Sequence, residues 1–363
     1  MATAEHPPTI AVDAMGSDRG PAEVLQGVAE VLREPDDPGL CSCHFRVIGG
    51  GPELDEGLIE AGLRDHPRVA VVHAEEVIGM DEKPLVSIKK KRNSSMVQAL
   101  SMVRDGTADA LLSCGNTGSL MAGGTLLVRR LSGVDRPALA TIIPTRSSRF
   151  ILLDAGANPE PTALQMSQNA ILGSNYARVV LGRANPSVGL LTIGTEEGKG
   201  SARVQEAHRR LKQIDGIIDY RGLIEGFQVF EDPVDVVVCD GFTGNVVLKV
   251  CESLFKMLVG YLKDELSATW PRRLGALLSM GAFKEIRKEL DPAQYGGAPL
   301  LGLQAPILKA HGSSDRHSIA GALNVAAAAL RADMTERMRA EIAEGLKRTA
   351  QDSTVSEKEL ARS

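Results

Sequence analysis

Six times along this chain a short apolar run gives way to a loop of Gly, Asp, Asn, Ser and Thr, and each loop leads into residues spaced for a helix. The runs lie at 10–12, 110–112, 150–153, 189–193, 234–239 and 307–309, and the loops at 13–18, 113–119, 154–158, 194–200, 240–245 and 311–315. Further apolar runs at 45–48 and 69–72 keep the same rhythm. Alternating strands and helices need crossover connections, which cover both faces of a largely parallel sheet. The expected fold is therefore α/β, a three-layer α/β/α arrangement with a mainly parallel sheet. In open sheets of this kind ligands bind outside the carboxyl ends of the strands. One polar loop would mean little, since turns favour these residues anyway. Six of them predict one shared cleft.

The stretch 189–200, Gly-Leu-Leu-Thr-Ile-Gly-Thr-Glu-Glu-Gly-Lys-Gly, is the most specific of the six. Ser201 follows it and opens a helical face of Val204, Ala207, Leu211 and Ile214. A strand, a glycine loop and a helix start present backbone N–H groups and the positive end of a helix to an anion, and Lys199 adds a full charge. The loop is not a Walker A motif: only three residues separate Gly194 from Gly198-Lys199, and Gly200 stands where a Ser or Thr would hold magnesium. A phosphate site is expected here, and an ATPase is not.

Several classes lose their usual signals. The formal net charge of −5 gives no whole-molecule attraction to nucleic acid. The five cysteines are odd in number and lack paired metal-ligand spacing, which fits a reducing, cytoplasmic setting. Residues 1–9 carry no apolar signal core, and no uncharged apolar run reaches the ~18 residues of a membrane span, so any membrane contact is peripheral. His-Glu-x-x-His, Cys-x-x-Cys, Gly-x-Ser-x-Gly and Gly-x-Gly-x-x-Gly are all missing. Asp13, Asp18, Asp154, Asp240 and Asp315 could gather as magnesium ligands. Capping is the preferred reading, since each stands near a helix start.

Two segments depart from the rhythm. Pro84 interrupts 80–92, and Lys89, Lys90, Lys91 and Arg92 form a basic run before a helix expected near Ser94. The run is either a solvated face or a dock for an acidic partner. In 256–290, Trp270, Leu274, Leu277, Leu278, Phe283, Ile286 and Leu290 alternate with Arg272, Arg273, Lys284, Arg287 and Lys288. That is either a hairpin packed on the sheet or a protruding amphipathic arm for anionic lipid or an acidic protein. Residues 1–349 are expected to form one catalytic unit carrying this arm, with 350–363 a frayed polar tail.

Asp13-Ala-Met-Gly16, Gly115-Asn-Thr-Gly118, Gly198-Lys-Gly200, Cys239-Asp-Gly-Phe-Thr-Gly-Asn-Val-Val-Leu-Lys249, Tyr295-Gly-Gly-Ala-Pro-Leu-Leu-Gly302 and His311-Gly-Ser-Ser-Asp315 together resemble the bacterial phosphate acyltransferase (PlsX) family, in family order from about residue 9 to 340. Ser17 and Cys114 depart from the usual glycine and alanine without removing a chemical group the site needs. The resemblance implies a fold similar to isocitrate and isopropylmalate dehydrogenases, a homodimer, and no metal or cofactor. It also implies transfer of a long-chain acyl group from acyl carrier protein to inorganic phosphate for phospholipid synthesis. On that footing Lys199 anchors phosphate, while Asn116, Thr117 and Asn245, with N–H groups of Gly16, Gly115, Gly118, Gly198 and Gly244, share phosphate binding and oxyanion stabilisation. Asp13, Asp154, Asn158, Glu197, Asp240, His311, Ser313 and Ser314 complete the expected substrate-binding set. Lys89 to Arg92 would dock the carrier, and Arg272, Arg273, Leu277 and Leu278 would touch an anionic membrane surface. A short-chain phosphate acyltransferase or a dehydrogenase of the same fold, and a non-catalytic adaptor for the carrier, are the alternatives.

Overall fold

In a computed structural model of the chain, residues 7–33, 40–196, 198–231, 233–290 and 297–360 are described. Among them the strands are β1 (Thr9–Asp13), β2 (His44–Gly49), β3 (Val69–His73), β4 (Ala110–Ser113), β5 (Ala138–Pro144), β6 (Arg149–Leu153), β7 (Ser187–Thr192), β8 (Asp219–Glu225), β9 (Val236–Val238), β10 (Ala298–Leu301) and β11 (Ile307–Lys309). They form one mixed sheet in the order β3-β2-β1-β4-β11-β10-β5-β6-β9-β7-β8. Helices α1 (Pro21–Arg33), α2 (Pro52–Glu60) and α11 (Arg316–Arg331) meet one face of the first half, where Ile10, Val12, Phe45, Val47 and Leu112 are buried. Ala11, Ile48 and Leu111 turn to the other face, against α4 (Ser95–Arg104) and α5 (Thr117–Gly123). Opposite facing of successive strand residues explains why the runs read as continuously apolar: both faces are covered.

The second half is covered in the same way. Ile151, Leu153, Val188, Leu190, Val236 and Val238 pack under α6 (Ala163–Val180), α7 (Ala202–Gln213) and α12 (Met334–Leu360). Phe150, Leu152 and Val237 face the other way, with Val247 of α8 (Gly241–Ser267) against them. The helix start read at Ser201 holds, its side chain accepting the Val204 N–H at the head of α7, and Thr162 caps α6 in a capping box with Gln165.

Pairing directions correct the expectation of a single cleft. β1 to β4 and β11 run parallel, but β10 is antiparallel to both β11 and β5, and β6 is antiparallel to β5. β9, β7 and β8 then follow β6 in parallel. The carboxyl ends of β1, β4 and β11 therefore open on one edge of the sheet, and those of β6, β7 and β9 on the other. The six loops are two sets of three. The seam between them is narrow, because Leu139 pairs with Leu300 and Leu300 with Ile307, two residues short of the end of β11. Strand spacing puts the two edges roughly 7 Å apart along the strands there, and roughly 14 Å across.

Three smaller expectations also change. Pro84 begins α3 (Pro84–Lys90) instead of breaking a pattern, since its missing N–H costs nothing in a first turn. The helix expected from 256 starts at Gly241, as the first part of α8. No Gly or Pro follows Gly345 to stop α12, which continues to Leu360 instead of fraying at 350. After α8 come α9 (Trp270–Leu278), with no buried residue, and α10 (Met280–Leu290). Along α8 to α10 large apolar side chains lie open, among them Val250, Leu254, Met257, Trp270, Leu277 and Leu278. No described helix is long and apolar enough to cross a membrane.

Candidate active site

The first set of loops is bound into one junction. Ser113 Oγ donates to Asp13 Oδ2 at 2.7 Å and accepts the Gly115 N–H at 3.0 Å. Gly16 lies so close to the 113–119 loop that a Cβ on it would sit 2.4 Å from Gly115 Cα. The 311–315 loop closes over both: Asp18 N–H donates to Gly312 O at 2.8 Å, and Ser17 Oγ to the same oxygen at 3.2 Å. The glycines of Asp13-Ala-Met-Gly16 and Gly115-Asn-Thr-Gly118 thus serve a backbone-to-backbone approach. Burial pushes the Asp13 carboxyl up from its ordinary value, against the Ser113 hydroxyl, which pulls it down.

Asn116 is occupied within this junction. Its Oδ1 accepts the Ser119 N–H at 2.9 Å as the cap of α5, and its Nδ2 donates to Met80 O at 2.5 Å. With both ends of the amide engaged, Asn116 fixes the loop and tethers 79–82, where the carbonyls of Gly79 and Glu82 also lie 3.5 Å from its Nδ2. Thr117, Gly118 and the buried Ser314 stand in the same junction, and the Ser314 N–H donates to His311 O at 3.0 Å.

In the second set, Asp154 is fully buried and accepts four backbone N–H groups: Oδ1 takes those of Leu139, Gly156 and Ala157, and Oδ2 that of Asn158 at 2.6 Å. Burial raises its pKa while those N–H groups lower it. Asn158 donates from Nδ2 to Gln165 Oε1 and accepts from the Arg136 guanidinium with Oδ1, and its backbone carbonyl accepts the Gly241 N–H. Both side chains hold the loop in shape. Asp240 caps α8 by accepting the Thr243 N–H at 2.8 Å, and Asp315 caps α11 by accepting that of Ser318 at 2.9 Å. The capping reading therefore fits Asp240 and Asp315. Asp13 and Asp154 organise loops instead. Among the described residues no three His, Cys, Asp or Glu side chains group closely enough to hold a metal ion.

Groups open to a ligand remain on both sides. Lys199 is exposed and makes no ion pair among the described residues, and the Gly198 and Gly200 beside it have φ of 91° and 86°, left-handed values suited to glycine. Glu197 lies outside the described residues, as do Tyr295 and Gly296 of the Tyr295-to-Gly302 motif. Asn245 is exposed in the first turn of α8, beside Gly156, and its amide is unengaged among the described residues. Gly244 has no room for a side chain, since a Cβ there would meet Asp154 O at 1.9 Å. α8 then runs back toward the first edge, where Lys249 and Glu252 act electrostatically on His311. That helix links the two sets.

One buried group escaped the sequence reading. Lys309, the last residue of β11, is 8% exposed, and its Nζ donates to Cys114 O at 3.1 Å and to Ala310 O. Its signal was present as a lone lysine closing an apolar strand just before His311. Burial lowers its pKa, opposed by the nearby Asp18 and Asp13. The basic run divides: Lys89, Lys90 and Arg92 are exposed, whereas Lys91 pairs with Glu82 at 2.6 Å and donates to Val77 O. Arg272 pairs with Glu265, and Arg273 donates to Ser267 O, so both are partly spent inside the helical segment.

Comparison with known proteins now decides the family. A family model described as "Fatty acid synthesis protein" matches residues 8–337. A phosphate acyltransferase of Heliobacterium modesticaldum is 43% identical over 319 residues, 87% of this chain and 92% of that protein. The chain belongs to the phosphate acyltransferase family. A second relative, from Maricaulis maris, is 39% identical over 341 residues, covering 92% of this chain and 95% of its own. A phosphotransacetylase from Streptococcus pyogenes has a TM-score of 0.60 at 16% identity, over 90% of this chain and 94% of that one. The EutD phosphotransacetylase from Staphylococcus aureus gives 0.57 at 16%, over 88% and 93%. At that identity the likeness speaks for the fold alone. Membership of the phosphate acyltransferase family makes the chain an acyltransferase of lipid biosynthesis that transfers an acyl group to phosphate.

Proposed function

We propose that the donor is a long-chain acyl thioester of acyl carrier protein and the acceptor inorganic phosphate, giving acyl phosphate for phospholipid synthesis. A phosphate oxygen attacks the thioester carbonyl, a tetrahedral oxyanion forms, and the C–S bond breaks to leave acyl phosphate and the carrier thiolate, which takes a proton from water. Phosphate is anionic at neutral pH, and a leaving thiol with a pKa of about 8.5 departs readily, so strong acid or base groups are unnecessary. The site must position phosphate and stabilise the oxyanion. The observation that carries the reading is Lys199, exposed and outside any described ion pair, on a glycine loop at the head of α7. Asn245 remains a side-chain donor, with the backbone N–H groups of the glycine loops beside it.

Long-chain use is supported by an open, largely apolar face of α8 that starts at Asn245 and continues over Val246, Lys249, Val250, Ser253, Leu254 and Met257. It spans about 18 Å of helix at 1.5 Å per residue, far more than an acetyl group needs. Exposed Lys89, Lys90 and Arg92 suit an acidic carrier. Reversing those three charges should weaken carrier binding, and unchanged affinity would remove the docking assignment. The apolar flanks of α8 to α10 suit a second copy of the chain along the helices and an anionic membrane surface at their end. Phosphate-dependent release of free thiol from palmitoyl-carrier protein tests the reaction itself.

A further inference from the structure

His311 carries more information than its place in a motif. Two donors converge on its Nδ1: the Ser313 backbone N–H at 3.2 Å and Ser313 Oγ at 2.8 Å. A backbone N–H cannot act as an acceptor, so Nδ1 holds its lone pair toward Ser313 and the ring proton of the neutral imidazole sits on Nε2. Histidine is thereby fixed in one tautomer, with an N–H on the ring nitrogen remote from Ser313, in an exposed residue. The segment that carries it is held by an unusual tether. Lys309 spends two of its three N–H groups on the carbonyls of Cys114 and Ala310, joining the ends of β4 and β11, yet it makes no ion pair among the described residues. A buried ammonium is costly where neutral donors could serve the same carbonyls.

The charges around the ring agree with its being neutral. Burial pushes the His311 pKa below 6.5, and Lys309 from β11 and Lys249 from α8 push the same way, against Glu252 of α8 and Asp18 of the β1–α1 loop. Asn116, meanwhile, turns its Nδ2 toward the carbonyls of Met80, Gly79 and Glu82.

We propose that His311 is a catalytic residue acting as a neutral hydrogen-bond donor, its Nε2–H given to the oxyanion that develops on the thioester carbonyl, and that Lys309 is a positioning residue for it. The inference rests on the acyl-transfer reading above. No proton changes hands at His311: the bond strengthens as negative charge moves from phosphate to the carbonyl oxygen, and it relaxes when the thiolate leaves.

Glutamine places an amide N–H where histidine holds Nε2–H but is neither acid nor base, so it separates a donor from a proton shuttle. His311→Ala should lower kcat by about 10²-fold, and His311→Gln should recover at least a tenth of parental kcat with the phosphate KM little changed. A glutamine variant as inactive as the alanine variant overturns the donor role, and so does an alanine variant with parental kcat. Lys309→Met should raise the imidazole pKa read by histidine NMR and lower kcat below neutral pH, and an unmoved pKa overturns the role of Lys309. Nitrogen-15 spectra of the parent serve if a variant fails to fold, since an Nδ1–H tautomer there contradicts the assignment by itself. If the parent releases no thiol with phosphate, the reaction reading falls, while the tautomer and the Lys309 effect on pKa are still read independently.

Discussion

Lys199 is where the account is most exposed at the residue scale, because it is the one cation in the loop 194–200 and makes no ion pair among the described residues. Lys199→Ala should fold normally and lose about 10²-fold in kcat/KM for phosphate, on the scale of losing an oxyanion donor. Parental turnover at low phosphate would contradict it. His311 gives a pH test of stability. Its folded pKa is lowered from 6.5, so its contribution is fully present above 6.5 and is lost as pH falls through the folded value. Acidification from pH 7 should therefore destabilise the parent more steeply than His311→Gln in thermal melts, and parallel curves would count against it. Residues with one job in sequence acquired another in space: Asn116, Asp154 and Asn158 have polar groups a site would want, but neighbouring backbone groups claim them first. That competition depends on contacts as much as 36 residues away, as between Asn116 and Met80, which no local pattern records.

Among elements, the head of α8 is the closest-packed part of the site. Gly244→Ala drives a Cβ into Asp154 O and should cost about 3 kcal/mol or more in a denaturant titration, as severe overpacking does. A loss under 1 kcal/mol would show that α8 can move off the 154–158 loop. At the other end, Leu277→Glu with Leu278→Glu should sharply reduce binding to anionic vesicles while leaving the melt unchanged, since both side chains are exposed. Undiminished binding would remove the membrane assignment. Helix starts were legible because Thr162, Ser201, Asp240 and Asp315 carry capping chemistry in their own side chains. The strands β5, β8 and β10 were not. None ends in one of the polar glycine loops that marked the others, and what makes β10 a strand is its place between β5 and β11.

For the whole molecule, those missed strands matter most. Strand–loop–helix rhythm correctly gives an α/β fold with helices on both faces, but it carries no sign of direction, and the antiparallel β10 and β5 turn one expected cleft into two loop sets. The sets are joined by α8, which starts beside Asp154 and carries Lys249 toward His311. On this account phosphate, the thioester carbonyl and the acyl chain are held along that line, from Lys199 and Asn245 to the open face of α8 at Val250 and Leu254. The most direct measurement is the release of free thiol from palmitoyl-carrier protein with and without inorganic phosphate, with acyl phosphate followed in the same sample. The account predicts thiol release that rises with phosphate and saturates, one acyl phosphate formed for each thiol. Release that is absent, or that proceeds equally without phosphate, would contradict it.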